Sequence, residues 1–425
     1  MIPKLRPVNN INFYNVLSSE KRSKSLVIFG RIFQHPNNFQ RNRMSMNETN
    51  STNEFYNSLG VTKVINGASW LTKLGGSIMP DPVIKTMEEA SKWFVDMDDL
   101  NQKAGEFIAR ITGAEAGLVT AGAASGMVLQ AAACIAGSDP YKINQLPNTT
   151  GMKNEIILDK GHLVAYHHSF RAAGAEIVEI GGVGNTEEWE LEHNINDKTA
   201  AVAYIFSPLH HGAIPLQRVI KIAHSKNIPV IVDASAMLPP QENLQKFINM
   251  DADMVTFSGG KGIRGPQSTG ILCGKKHLIE AAYLNGPPHS NAVCRAAKVC
   301  KEEIAGLITA LQLFIDTDFD QIIGEWETKC SFIVQSLSNL PGVQAKVEKA
   351  NPQILSAETT HPRAIIDFDE TWNGLSGDDL MNRLSSGNPS IHVRPSERNG
   401  IIIHPVNLQT GEEKIIVEKL IKLLN

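Results

Sequence analysis

Lys261 lies in Phe257-Ser258-Gly259-Gly260-Lys261-Gly262, a lysine flanked by glycines just behind the apolar run Asp253-Met254-Val255-Thr256-Phe257. A lysine so placed is held near a strand end and does not extend from a solvated face. Loss of water lowers an amine's pKa and frees its lone pair to form a Schiff base with a carbonyl. Ser258, three residues earlier, offers a hydroxyl to a phosphate. The glycines also suggest a nucleotide P-loop, but the Gly-x4-Gly-Lys-Ser/Thr spacing is absent.

Two further groups precede this one. Asp233 ends the β-branched run Ile228-Pro229-Val230-Ile231-Val232. A carboxylate at the C-terminal end of a strand sits where α/β sheets bind ligands, although a helix N-cap would use the same residue type. Earlier still, Val119-Thr120-Ala121-Gly122-Ala123-Ala124-Ser125-Gly126 reads as a small-residue turn opening a helix. Backbone N–H groups and the helix dipole there suit a phosphate, and tight packing would explain the same small residues. A Schiff-base lysine, a phosphate cradle and a carboxylate that keeps a pyridine nitrogen protonated are together what pyridoxal 5′-phosphate requires. The expected cofactor residues are Gly122, Ala123, Ala124, Ser125, Asp233, Ser258 and Lys261. Lys261 and Asp233 are the catalytic pair.

These groups need strand ends to stand on, and the pattern supplies them. Val202-Ala203-Tyr204-Ile205-Phe206, ending at Ser207-Pro208, is one buried run. Those before Asp233 and Ser258 are two more, and Gly270-Ile271-Leu272-Cys273-Gly274 is a fourth. Residues 216–226 between them have helical spacing. Buried strands alternating with helices predict a parallel α/β sheet. Residues 301–340 read as helical. Beyond them, Ala364-Ile365-Ile366-Asp367-Phe368, Ile401-Ile402-Ile403 and a closing helix over 412–424 predict a smaller α+β domain. The expected division is a basic extension over 1–45, an N-terminal segment over 46–75, a large cofactor domain over 76–300, and a linking helix with a small domain over 301–425.

Composition fits a globular enzyme. The 425 residues are 42% hydrophobic and carry a net charge of −4, which argues against a general nucleic-acid binder. Residues 1–43 hold eight basic side chains against Glu20 alone; they are +7 and leave −11 for the rest. That stretch reads as an upstream extension, with Met44 or Met46 as the start, or as a targeting presequence. The uncharged run 118–137 is Ala/Gly-rich, which predicts a buried helix in place of a membrane span. Five scattered cysteines form no metal or redox spacing and point to reduced thiols in a cytoplasmic setting. The pairs His167-His168 and His210-His211 have no matching ligand cluster, so no metal is expected.

The motif Phe257-Ser258-Gly259-Gly260-Lys261, continued by Gly265-Pro266-Gln267-Ser268-Thr269-Gly270-Ile271, resembles bacterial selenocysteine synthase, the L-seryl-tRNA(Sec) selenium transferase. Thr112-Gly113-Ala114-Glu115-Ala116 and Gly161-His162 extend the similarity. Other segments are more similar to shorter relatives typified by D-glucosaminate-6-phosphate ammonia-lyase. These are Leu74-Gly75-Gly76-Ser77-Ile78-Met79-Pro80, Phe94-Val95-Asp96-Met97-Asp98-Asp99-Leu100, Val232-Asp233-Ala234-Ser235-Ala236-Met237-Leu238-Pro239-Pro240 and Lys298-Val299-Cys300-Lys301-Glu302-Glu303-Ile304. The resemblance covers about residues 60–425. It implies the aspartate-aminotransferase-like fold, type I of the pyridoxal-phosphate-dependent transferases: a large, mostly parallel-sheet domain plus a small α+β one. It implies that Lys261 carries the cofactor as a Schiff base, that Asp233 holds the pyridine nitrogen, and that residues 122–125 with Ser258 hold the phosphate. His168 or His162 is the expected ring-stacking partner. Residues 1–60 are too irregular for a tRNA-binding domain, which argues against a tRNA substrate.

The expected reaction is α-proton abstraction and β-elimination on an anionic amino acid or amino-sugar acid, with release of ammonia and a 2-keto acid. A selenium or sulfur transferase is the alternative, and a binding-only relative a third. Arg264, Arg295, Lys298 and Lys301 bracket the segment after Lys261. Arg295 and Lys298 would share a helix face and receive a substrate anion, while Arg394 would take the α-carboxylate. At least a homodimer is expected, with the apolar, glycine-rich segment 70–80 packing on a neighbouring chain.

Overall fold

The computed structural model describes residues 54–182, 184–206, 212–351 and 360–425. The extension over 1–45, the strand end at Ser207-Pro208 and the pair His210-His211 lie outside the described residues. Residues 1–60 form a unit of their own, described only from 54, where a short helix spans Glu54–Ser58. All that follows concerns residues 61–425.

The strands, in chain order, are β1 (Val64–Asn66), β2 (Ala116–Thr120), β3 (Glu155–Asp159), β4 (Glu176–Ile180), β5 (Thr199–Ile205), β6 (Val230–Asp233), β7 (Met254–Ser258), β8 (Gly270–Gly274), β9 (Val343–Glu348), β10 (Arg363–Phe368), β11 (Ser390–His392), β12 (Arg394–Pro395) and β13 (Ile401–Ile403). Seven form the main sheet in the order β2-β8-β7-β6-β5-β3-β4. The neighbours from β4 to β7 pair in parallel. β5 and β6 are buried along their whole length, which is why their sequences are unbroken apolar runs.

β8 departs from the parallel pattern and runs antiparallel to both β7 and β2. The loop from Gly259 to Thr269 contains no helix, and a parallel return needs a crossover of roughly a dozen residues or more. The chain therefore turns straight back. Lys261 is left in that turn, at the C-terminal end of β7.

Helices cover both faces. The helix Gly122–Ala136 packs on one face with Met127, Leu129 and Ile135. The helices Met97–Thr112, Leu216–Ser225 and Lys301–Ile315 cover the other. The uncharged run 118–137 is thus the end of β2 and one buried helix. A Cβ at Gly126 would lie 2.4 Å from Thr256 Oγ1, so the small residues serve close packing on the sheet. Among the described residues no helix is long and apolar enough to cross a membrane.

A third core lies under the four-stranded antiparallel sheet β12-β13-β10-β9. The helices Phe319–Leu337 and Glu412–Leu424 line it. The helical stretch over 301–340 is two helices, because Asp318 accepts from the Asp320 and Gln321 amides and starts a second one. β1 pairs in parallel with β11 and puts Ile65 into this third core. The N-terminal segment therefore contributes to the C-terminal layer.

Candidate active site

Parallel strands leave their C-terminal ends on one side of the sheet, and the chemistry-bearing residues collect there. β6 delivers Asp233 at its last position, only 4% exposed. Its Oδ1 accepts the Ser235 backbone N–H at 2.9 Å. Burial pushes the Asp233 carboxyl above the usual carboxylate range, and nearby Lys261 pulls the other way.

Lys261 follows β7 in a loop closed by Gly259 N–H to Thr269 O at 2.8 Å and Gly265 N–H to Gly259 O at 2.8 Å. The flanking glycines answer a steric demand. A Cβ at Gly260 would lie 2.4 Å from Gln267 Cα, and one at Gly262 2.1 Å from Leu238 O. The lysine side chain is partly buried, with Nζ 3.3 Å from Ser235 Oγ. Burial lowers its pKa from the ordinary lysine value, against the pull of Asp233. An amine whose charged form is disfavoured in this way is the more available as a nucleophile and a base.

The phosphate cradle is placed by register. Ser258 pairs with Gly270, and Gly270 with Thr120. The ends of β7 and β2 and the start of β8 thus lie in one row. The helix after β2 begins at Gly122, with φ +75°, and Thr120 Oγ1 donates to Gly122 O at 2.9 Å. Its first turn holds no acidic residue, so the positive end of its dipole is unopposed there. A Cβ at Gly270 would lie 2.6 Å from Gly122 C, which is what lets strand and cradle approach. Gly122, Ala123, Ala124, Ser125 and Ser258 fit a phosphate held by backbone amides and one hydroxyl, as the cofactor demands.

The two candidate ring partners separate. His162 ends a short turn after β3, is 1% exposed, and meets the Tyr204 ring edge-on at 4.3 Å. His168 is exposed and stacks on His167 at 4.6 Å.

Arg295 and Lys298 lie in a turn and the extended stretch after it, not on a shared helix face as expected. They nevertheless line one cavity of about 130 Å³ together with Thr120, Ala121, Ser125 and Asn101. Lys301 is engaged elsewhere, donating to Ala90 O at 2.8 Å and pairing with Glu302. Arg264 donates from Nε to Ile78 O at 3.1 Å. Arg394 is exposed on β12, paired with Ile402 of β13. Segment 70–80 reaches the lysine loop of its own chain: Gln267 Nε2 donates to Thr72 O at 2.9 Å and Ser77 Oγ to Gly260 O at 3.0 Å, while Ile78 stays 56% exposed. Among the described residues no group of histidine, cysteine and acidic side chains is placed to hold a metal.

Sequence reading passed over Ser235, Asp159 and Tyr204. Ser235 carried a signal, a hydroxyl two residues beyond the strand-end carboxylate. Tyr204 looked like one more apolar member of its strand.

Comparison with known proteins agrees with this geometry. The aminotransferase class-V profile matches residues 143–367. A 5'-C-glycyluridine monooxygenase-decarboxylase from Streptomyces is 31% identical over 87% of this chain and 92% of its own. D-glucosaminate-6-phosphate ammonia lyase of Salmonella typhimurium is 30% identical over 87% of this chain and 97% of its own. The L-seryl-tRNA(Sec) selenium transferase of Nitratidesulfovibrio vulgaris is more distant, 24% identical over 60% of this chain and 56% of its own. The solved structure of D-glucosaminate-6-phosphate ammonia-lyase superposes with a TM-score of 0.75 at 28% identity, covering 87% of this chain and 98% of that one. A strand-end carboxylate, a buried lysine and a small-residue helix start at the same end of the sheet thus stand on a shared scaffold, and the chain belongs to the aminotransferase class-V family as a pyridoxal 5′-phosphate enzyme.

Proposed function

We propose that this enzyme is a lyase. It removes the α-proton of an anionic amino acid or amino-sugar acid, expels the β-substituent, and releases ammonia and a 2-keto acid. The observation that carries the reading is the placement of Lys261 Nζ at Ser235 Oγ, with Ser235 also bound to buried Asp233. When bound, the cofactor supplies an electron sink for the charge left at the α-carbon. Lys261 is the base that takes the α-proton, and burial, which lowers its pKa, favours the form that can do so. Asp233 holds a proton at the pyridine nitrogen. Residues 122–125 and Ser258 bind the phosphate, and His162 supports the ring. Arg295 and Lys298 receive the substrate's anionic group in their cavity. Arg264 and Arg394 are the further cationic candidates, Arg394 for the α-carboxylate.

The same reading divides the chain into a cofactor domain over 76–300 and a smaller domain over 301–425. It makes the enzyme a cytoplasmic homodimer. Trp93, Phe94 and Val95 are exposed in succession, Phe94 completely, and such an apolar run supports a protein partner on that face.

The test is to supply purified, cofactor-loaded enzyme with phosphorylated amino-sugar acids and β-substituted amino acids, and to measure ammonia and keto acid under nitrogen. Stoichiometric release of both supports the lyase. An absolute need for oxygen, or carbon dioxide as a product, would replace it with chemistry like that of the Streptomyces relative. Turnover only on seryl-tRNA with a selenium or sulfur donor would replace it with the transferase.

A further inference from the structure

Asp159 ends β3 with its side chain 8% exposed. Oδ1 accepts the Gly161 amide at 2.8 Å and so caps the turn Lys160–His162. Oδ2 is buried and has no hydrogen-bond partner among the described residues. A buried carboxylate oxygen left without a donor is costly, so its retention needs an explanation.

Its surroundings supply one. Leu158 pairs with Ala203, so the next rung sets Asp159 beside Tyr204. Ile157 and Tyr204 belong to one core layer, and Leu158 and Ala203 to the opposite one. Strand alternation therefore turns Asp159 and Tyr204 to the same face. Tyr204 in turn meets the His162 ring edge-on at 4.3 Å. Three buried polar side chains, from two adjacent strand ends and one turn, form a cluster two to three strands from Lys261 in the sheet order. Burial, and then the Asp159 charge, raise the pKa of Tyr204, which keeps the phenol neutral.

We propose that Asp159 and Tyr204 are positioning residues for His162: the Tyr204 ring fixes the plane of the imidazole, and Asp159 caps the turn that carries it and sets a buried negative charge at the base of that turn. The inference rests on the reading of His162 as the group that supports the cofactor ring. Neither residue touches the reacting atoms; both act through the histidine.

The experiment is a double-mutant cycle on cofactor affinity, measured by titrating apoenzyme with pyridoxal 5′-phosphate and following intrinsic fluorescence. Asp159→Asn keeps the cap on Gly161 and removes only the charge. It weakens binding about 10-fold when His162 is present and less than about 2-fold in a His162→Asn background. Tyr204→Phe, which keeps the ring, stays within about 2-fold of wild type, whereas Tyr204→Leu behaves like Asp159→Asn. Equal losses for Asp159→Asn in both backgrounds would overturn the proposal, as would no loss in either. Thermal melting of the apoenzyme guards the interpretation. If Asp159→Asn lowers Tm as much as Asp159→Ala does, the residue is structural and the proposal fails. Wild-type affinity in His162→Asn alone would overturn the role given to His162, and is read apart from the Asp159 result.

Discussion

Lys261 Nζ stands 3.3 Å from Ser235 Oγ, and the same serine gives its backbone N–H to Asp233 Oδ1 at 2.9 Å. One residue thus touches both members of the proposed catalytic pair. Its hydroxyl aims the amine and its amide holds the carboxylate. Ser235→Ala removes the hydroxyl, with its contacts to Lys261 and to the Asp233 carboxyl, and keeps the amide. The expected result is a kcat lowered about 10-fold with KM changed less than about 2-fold, because the lost contacts orient reacting groups and not the substrate. Lys261→Ala abolishes turnover and the visible absorption of lysine-bound cofactor. Steady-state kinetics with a spectrum of each variant makes the comparison. A kcat unchanged in Ser235→Ala would leave the serine as a loop residue only.

The basic residues after Lys261 divide by what they touch. Arg295 and Lys298 line the cavity beside Ser125, while Lys301 is tied to Ala90 O. Arg295→Gln and Lys298→Gln each raise KM for an anionic substrate by tens of fold and change kcat little. Lys301→Gln leaves KM unchanged and lowers the melting temperature. The same KM shift at all three positions would mean a diffuse field, not a built site.

The strand ends were legible because buried parallel strands write themselves as unbroken apolar runs. Asp233 and Lys261 could be placed from those runs alone, and β8 begins and ends where Gly270 and Gly274 put it. Its direction was not legible, since an apolar run looks the same in either sense; only the length of loop 259–269 decides it. Ser235 and Asp159 escaped for another reason. Their roles depend on contacts between neighbouring strand ends and loops, and no spacing along the chain encodes those. Segment 70–80 makes the same point. Its glycines and apolar residues mark a packing segment, and its contacts with the chain's own lysine loop, 183 to 195 residues away, are not encoded by any spacing.

Close packing of the cradle helix on the sheet gives a stability test away from the chemistry. A Cβ at Gly126 would lie 2.4 Å from Thr256 Oγ1, and that hydroxyl donates to Ile271 O at 3.0 Å. Gly126→Ala must displace a fully buried threonine and its hydrogen bond. The expected loss is about 1–3 kcal/mol in urea unfolding. Thr256→Ala, harmful alone, makes room, so the double variant is more stable than the sum of the single losses predicts. Strict additivity would show that the helix shifts instead of the threonine.

The last prediction concerns acid. His361 and His404 are 2% and 6% exposed, and His361 Nε2 lies 2.8 Å from His404 Nδ1. Thr360 Oγ1 is 3.0 Å from the other nitrogen of His361, and Trp70 packs against its ring at 5.0 Å. The charged groups facing the pair are Arg363 and Arg394, both cations. Burial and then Arg363 push the pKa of His361 down to about 3, and burial with its neighbours holds His404 well below the usual histidine value. An unfolded histidine titrates near pH ~6.5. Above that pH neither state binds the proton and the pair costs nothing. Below it the unfolded chain gains a proton that the folded chain refuses, so stability falls as pH drops from about 6.5 toward about 3. At 1.36 kcal/mol for each unit, His361 alone removes about 2 kcal/mol between pH ~7 and pH ~5. Urea unfolding of wild type and His361→Gln at both pH values isolates this contribution. The glutamine variant is less stable at pH ~7, where it loses a fitted hydrogen bond, but its stability falls less on acidification. Parallel losses in the two proteins would mean that His361 takes up a proton in the native state, and that the buried pair is charged, not neutral.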